Sequence, residues 1–292
     1  MRIESNLTGL RDAVAAWRAE GLRVGFVPTM GNLHAGHVSL IEVARANADR
    51  VVASIFVNPT QFGAGEDFGE YPRTPDADAA ALEAAGCDLL WHPSVQTMYP
   101  FGAEGAVRMR VPGVSEVLEG AHRPGHFDGV ATVVCRLFQQ VQPDMAVFGR
   151  KDYQQLAVIR AMVQDLSMPV EIIDGPTQRD ADGLALSSRN QYLSDTERSA
   201  APAIYATLKS MRDALSTSAG RDRVEADAVM QLERAGFSVD YAVVRRPDLS
   251  IPEDVELGDA LVALIAARIG RTRLIDNLEF VVGAVSKPAD DR

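Results

Sequence analysis

Residues 24–48 constrain the fold more than any other stretch of this chain. A continuous apolar run, Val24-Gly25-Phe26-Val27, enters Pro-Thr-Met-Gly-Asn-Leu-His-Ala-Gly-His at 28–37 and leaves through an amphipathic run from Val38. Strand, tight glycine turn and helix follow one another with no room for other elements. Continuous apolar strands suit a parallel sheet covered on both faces. The rhythm repeats: strands are expected at Arg23–Pro28, Val51–Val57, Asp88–Trp91, Met145–Phe148 and Val170–Asp174. Helices are expected at Gly36–Ala48, Pro75–Ala85, Gly129–Val141 and Asp152–Leu166. The reading is a doubly wound α/β domain over residues 1–177, with ligands beyond the carboxyl ends of the strands.

Past about residue 177 the pattern changes. A polar loop, Gln178–Ser194, precedes helical runs near 196–215 and 224–235. Strand candidates follow at Ser238–Arg245, Ala260–Ala267 and Arg273–Ile275. These strands read as antiparallel, so residues 178–292 are expected to form a smaller α+β domain, with a frayed tail at 285–292.

Composition excludes several classes. The net charge of −11 argues against a nucleic-acid partner, which usually meets a basic face. The two cysteines, Cys87 and Cys135, form no disulfide framework or metal spacing, and Cys135 lies in an apolar run expected on a buried helix face. No apolar signal core or membrane-length segment is present. A soluble cytosolic protein is the expectation.

Six segments could carry chemistry. His34 and His37 sit three apart where a helix begins, and helix N-termini carry unpaired N–H groups that bind phosphate. Gly31 and Gly36 have P-loop spacing, but His37-Val38 replaces Lys-Ser/Thr, so a different nucleotide site is expected. Phe56-Val57-Asn58-Pro59-Thr60-Gln61-Phe62 follows the next strand; Asn58 and Gln61 offer uncharged donors, although Asn-Pro is also turn chemistry. In Phe148-Gly149-Arg150-Lys151-Asp152-Tyr153-Gln154-Gln155, Lys151 suits a phosphate and Asp152 a helix cap. Leu184-Ala185-Leu186-Ser187-Ser188-Arg189-Asn190 reads as a phosphate clamp or as an ordinary linker. Gly125-His126-Phe127-Asp128-Gly129 opens a helix. Glu66, Asp67, Asp76 and Asp78 could meet a magnesium ion or simply favour a helix dipole.

With these motifs in order, the chain resembles the pantothenate synthetase (pantoate–β-alanine ligase) family of the nucleotidyltransferase-like superfamily. The likeness runs from Arg23 to Leu193 and more loosely to Phe280. It implies a Rossmann-like domain, a smaller domain closing as a lid, and a homodimer. The implied reaction joins (R)-pantoate to β-alanine through a pantoyl adenylate, consuming ATP with Mg²⁺ and releasing AMP and pyrophosphate. By the same resemblance His37, His34 and Lys151 are catalytic. ATP would be bound by Met30, Gly31, Asn32, Leu33, His34, Ala35, Gly36, His37, Gly149, Arg150, Lys151, Asp152, Gln178, Leu186, Ser187, Ser188 and Arg189. Pantoate and β-alanine would meet Asn58, Gln61 and Gln155, and Asp78 is the candidate metal ligand. Two residues depart from the pattern. Arg150 replaces a usual glutamate and is expected to add charge near the phosphates; Ala77 interrupts a common acidic pair, so the metal is expected mainly on ATP oxygens and water. The rival readings are another nucleotidyltransferase of the superfamily and a non-catalytic nucleotide-binding regulator.

Overall fold

The computed structural model describes residues 1–63, 68–69, 71–217 and 219–283. The candidate acids Glu66 and Asp67, and the tail 285–292, lie outside the described residues. Two compact units separate: Met1–Gln178 with Leu186–Ser188, and Arg179–Ala185 with the residues from Arg189 onward.

The first unit contains β1 (Arg2–Glu4), α1 (Leu7–Ala19), β2 (Val24–Thr29), α2 (Ala35–Asn47) and β3 (Arg50–Ile55). It continues through α3 (Pro75–Ala84), β4 (Leu89–Trp91), α4 (Val95–Met98), α5 (Glu119–His122) and α6 (His126–Val141), and closes with β5 (Met145–Gly149), α7 (Tyr153–Asp165) and β6 (Glu171–Gly175). The strands form one six-stranded sheet in the order β1-β4-β3-β2-β5-β6. All its pairings are parallel.

Strand periodicity explains the two covered faces. Val24 and Phe26 of β2, Val52 of β3, and Ala146 and Phe148 of β5 pack with α1, α6 and α7 residues such as Leu10, Leu137 and Ile159. Their alternates Val27, Val51, Ala53, Ile55, Met145 and Val147 pack with Leu40, Ile41 and Leu82 of α2 and α3. Alternate residues of a strand face opposite sides, so an uninterrupted apolar run feeds both cores.

Sheet order also fixes where a ligand belongs. From β2 the chain proceeds outward through β3 to β4, then returns to place β5 on the other side of β2. That reversal opens a crevice at the carboxyl ends of β2 and β5. The His34–His37 segment follows β2, and Lys151 follows β5.

Several expectations need adjustment. β1 and α1 add to the expected elements, and α6 starts at His126 rather than Gly129. Cys135 lies on α6 but is only half-buried, so it is not part of a sealed helix face.

The second unit holds α8 (Asp195–Ala200), α9 (Ala203–Ser216), α10 (Arg221–Arg234), β7 (Ser238–Arg245), β8 (Ala260–Ile269) and β9 (Thr272–Val281). Its strands form the antiparallel sheet β7-β8-β9. The helical run near 196–215 is broken where Pro202 removes a main-chain donor. β9 is far longer than Arg273–Ile275, because its polar residues are paired. Asp276 is 5% exposed, and Arg179 donates to both its carboxylate oxygens at 2.6 and 3.0 Å.

Candidate active site

The turn after β2 is wound tightly and pinned. Gly31 and Asn32 both have left-handed backbone, φ +82° and +52°. Glycine and asparagine tolerate that region best. The Asn32 and Leu33 N–H groups donate to the two carboxylate oxygens of Asp78 at 2.9 and 2.8 Å, and the Thr74 hydroxyl donates to one of them. Asp78 is 3% exposed. Its carboxylate holds the turn, and no bond in the turn bears on its expected place as a metal ligand. Among the described residues, no three His, Cys, Asp or Glu side chains gather as a metal site.

At the head of α2 the two histidines complete the helix end. The Gly36 N–H donates to His34 Nδ1 at 3.1 Å, and the His34 N–H donates to His37 Nδ1 at 3.3 Å. An N–H can only donate, so each Nδ1 must be the lone-pair nitrogen. Each neutral ring therefore keeps its proton on Nε2, as a donor for a ligand. Burial first, then the neighbouring His34, pulls the His37 imidazole down to about 3. His34 is also lowered, by burial and then by the Lys151 charge. Neutral donors at the head of α2 add hydrogen bonds where the dipole already favours an anion.

After β3, a short turn at Pro59–Gln61 presents Gln61, which is 9% exposed. Its Nε2 donates to the Met30 thioether at 3.1 Å, a weak acceptor that an oxygen could replace. Asn58, expected to touch substrate, is held by the protein itself. It is 1% exposed; its Nδ2 donates to Gln61 Oε1 and to the Gly129 carbonyl, and its Oδ1 accepts from Tyr99 Oη, the Thr60 hydroxyl and the Thr60 N–H. Its amide is committed to holding Gln61.

At the end of β5, Gly149 leads into a 3-10 turn, Arg150–Asp152, that carries Lys151. The Lys151 side chain is 16% exposed, with its ammonium 3.9 Å from an Asp152 oxygen. Asp152 occupies the N-cap position of α7 but makes no capping hydrogen bond, contrary to expectation. Arg150 also departs from its expected role. Its Nε and Nη2 donate to Asp174 Oδ2, and Arg160 donates to the other oxygen at 2.7 Å. Burial raises the Asp174 carboxyl, but the hydrogen bonds and charges of Arg150 and Arg160 outweigh it and hold it low. The Arg150 guanidinium is thus paired at the end of β6, sharing the one Asp174 carboxylate with Arg160.

Gln155 is half-buried in the first turn of α7. Its neighbour Gln154, which sequence reasoning passed over, is structural. It donates to the Val114 and Val117 carbonyls and accepts from the Glu119 N–H. The Gln178 carbonyl accepts from the Leu186 N–H at 2.9 Å, and Ser188 Oγ donates to the Asn32 carbonyl at 3.4 Å. Leu186, Ser187 and Ser188 therefore belong with the β2 turn; Arg189 is exposed and belongs to the second unit.

A parallel sheet with an anion-binding helix end and a lysine at its reversal point defines a nucleotide-binding α/β protein of Rossmann-like architecture. A family model described as pantoate–β-alanine ligase matches residues 2–279. A pantothenate synthetase of Stenotrophomonas maltophilia (strain K279a) is 63% identical over 276 residues, 94% of this chain and 98% of that protein. The crystal structure of pantothenate synthetase from Thermus thermophilus is similar with TM-score 0.85 and 48% identity, covering 95% of this chain and 99% of its own. The Francisella tularensis pantoate–β-alanine ligase, complexed with β-γ ATP and β-alanine, is similar with TM-score 0.80 and 34% identity, over 98% and 99% of the two chains. This chain belongs to the pantoate–β-alanine ligase family and is an enzyme of that ligase class.

Proposed function

We propose that this protein condenses (R)-pantoate with β-alanine at the expense of ATP, through a pantoyl adenylate. The observation that carries the reading is the fixed tautomer of His34 and His37, which leaves two uncharged Nε2–H donors at a helix N-terminus. In the first step the pantoate carboxylate attacks the α-phosphorus and pyrophosphate leaves. Two anions meet, so the barrier falls through positioning and through donors aimed at developing charge. His37 and His34 donate to phosphate oxygens, and the Lys151 ammonium supplies a full charge. Gly149, the Met30–Gly36 segment and Leu186–Ser188 line the nucleotide. In the second step the neutral β-alanine amine attacks the acyl carbon, AMP departs with the electron pair, and the amine proton passes to solvent. Gln61 and Gln155 orient pantoate without charge.

Magnesium enters as the companion of ATP, held by phosphate oxygens and water. The residues at the turn do not form a magnesium cage, and no step is assigned to one. The same reading takes the protein as a cytoplasmic homodimer and residues 178–292 as a lid-forming domain.

A single assay tests the reaction. AMP formation is followed from ATP, pantoate and β-alanine, omitting each in turn. AMP should appear only with all three, and pyrophosphate should exchange into ATP with pantoate alone. AMP transfer to a phosphate-bearing acceptor would favour another nucleotidyltransferase, and ATP binding without pyrophosphate release would favour a regulator.

A further inference from the structure

We propose that His126 is a positioning residue that holds the Gln61 turn in its substrate-binding geometry, an inference that rests on Gln61 contacting pantoate. His126 Nδ1 lies 2.9 Å from the Gln61 carbonyl oxygen, and its Nε2 lies 3.2 Å from Arg123 Nη1. A carbonyl only accepts and a guanidinium only donates. The proton therefore sits on Nδ1 and the lone pair on Nε2, so the ring is a neutral bridge with its tautomer fixed from both sides.

The bridge acts on a turn that has little freedom elsewhere. Gly125, at φ +81°, lets the chain swing directly into α6 at His126. One helical turn later Gly129 abuts Pro59–Gln61: a Cβ there would come within 2.3 Å of the Thr60 oxygen and 2.7 Å of Gln61 Cα. The main chain of the turn thus rests on the first turn of α6, with His126 donating to its last carbonyl. The side chain is set from the opposite direction. Tyr99 Oη donates to Asn58 Oδ1 at 2.7 Å, so Asn58 Nδ2 faces Gln61 Oε1 at 3.1 Å. Gln61 is left with its NH₂ toward the Met30 sulfur. His126 fixes where Gln61 stands, and Asn58 fixes which end of its amide points outward.

The test compares Gln61→Ala, His126→Gln and His126→Asn, measuring KM for pantoate and for ATP, kcat and thermal midpoint. Asparagine places an amide nitrogen near the Nδ1 position; glutamine places its amide near Nε2 and loses the bond to the turn. His126→Gln is expected to raise the pantoate KM about tenfold, the worth of one lost hydrogen bond, with the ATP KM unchanged. His126→Asn is expected to restore most of that loss. If Gln61→Ala raises the pantoate KM while both His126 variants match wild type, or differ from it only in thermal midpoint, the positioning role is overturned. If Gln61→Ala leaves the pantoate KM unchanged, the reading of Gln61 falls, and the role given to His126 falls with it.

Discussion

The rings of His34 and His37 stand 4.1 Å apart between centroids, each with its Nδ1 tied to a main-chain N–H at the head of the same helix. Protonating either ring would set an N–H against an N–H. The pair therefore functions as two uncharged donors, and acid is what disrupts it.

The pH dependence of folding follows from His37. Its imidazole titrates near 6.5 when unfolded and at about 3 when folded. Between those values the unfolded chain binds a proton that the native state does not. Stability is full above about pH 6.5 and falls as pH drops toward 3, at up to about 1.4 kcal/mol per pH unit for one such group. Urea unfolding at about pH 7.5 and about pH 5 measures it. His37→Gln should lose about 2 kcal/mol less than wild type over that interval. Equal losses would show that His37 is not the group responsible.

On the proposed reading, Lys151 supplies the charge of the first chemical step. Lys151→Met should lower pantoate-dependent pyrophosphate exchange by about 10²–10³, as loss of one preorganised donor does, with the circular dichroism spectrum unchanged. His37→Ala should fall in the same range. Wild-type exchange in either variant would remove that residue from the phosphate site.

Asp78 is expected to matter to the turn rather than to a metal. Asp78→Ala leaves the half-buried Asn32 and Leu33 N–H groups without their acceptor and should cost about 1–3 kcal/mol in chemical denaturation. Raising magnesium should not rescue ATP affinity in Asp78→Asn. Full recovery at high magnesium would return Asp78 to metal ligation.

Arg150 is expected to add charge near the phosphates, yet its guanidinium is occupied by Asp174. That pair is partly solvated, so Arg150→Ala should cost under about 1 kcal/mol. The ATP KM should stay within about twofold of wild type. A tenfold rise would mean that the guanidinium reaches the nucleotide during turnover.

Much of this is legible in the chain because strand and helix periods differ. The apolar runs of β2, β3 and β5 suit strands covered on both faces, and the sheet order then places the segments of His34 and Lys151 on one rim. The head of α2 is harder to read. Imidazole is not a usual N-cap, so nothing in residues 34–37 announces that two histidines cap the helix and each other. The partners of Asn58, Asp78 and Arg150 are hard to read for one reason: a polar side chain near a site looks like a ligand until its partners are known. Those partners are Gly129, Tyr99, Leu33 and Asp174, all distant in sequence. β1 is too short to show a period. α1, in contrast, carries a readable stripe at Leu7, Leu10, Val14 and Trp17. β9 is hidden by Asp276, whose charge is cancelled by Arg179, 97 residues earlier.

The order of the large sheet has a consequence for crowded solutions. Its margins are β1 and β6, of three and five residues, and they bear Arg2, Glu4, Glu171 and Asp174. Short, charged margins are poor templates for another chain's backbone. The hydrophobic central strands, which would otherwise nucleate aggregates, are flanked by strands that discourage sheet growth from molecule to molecule.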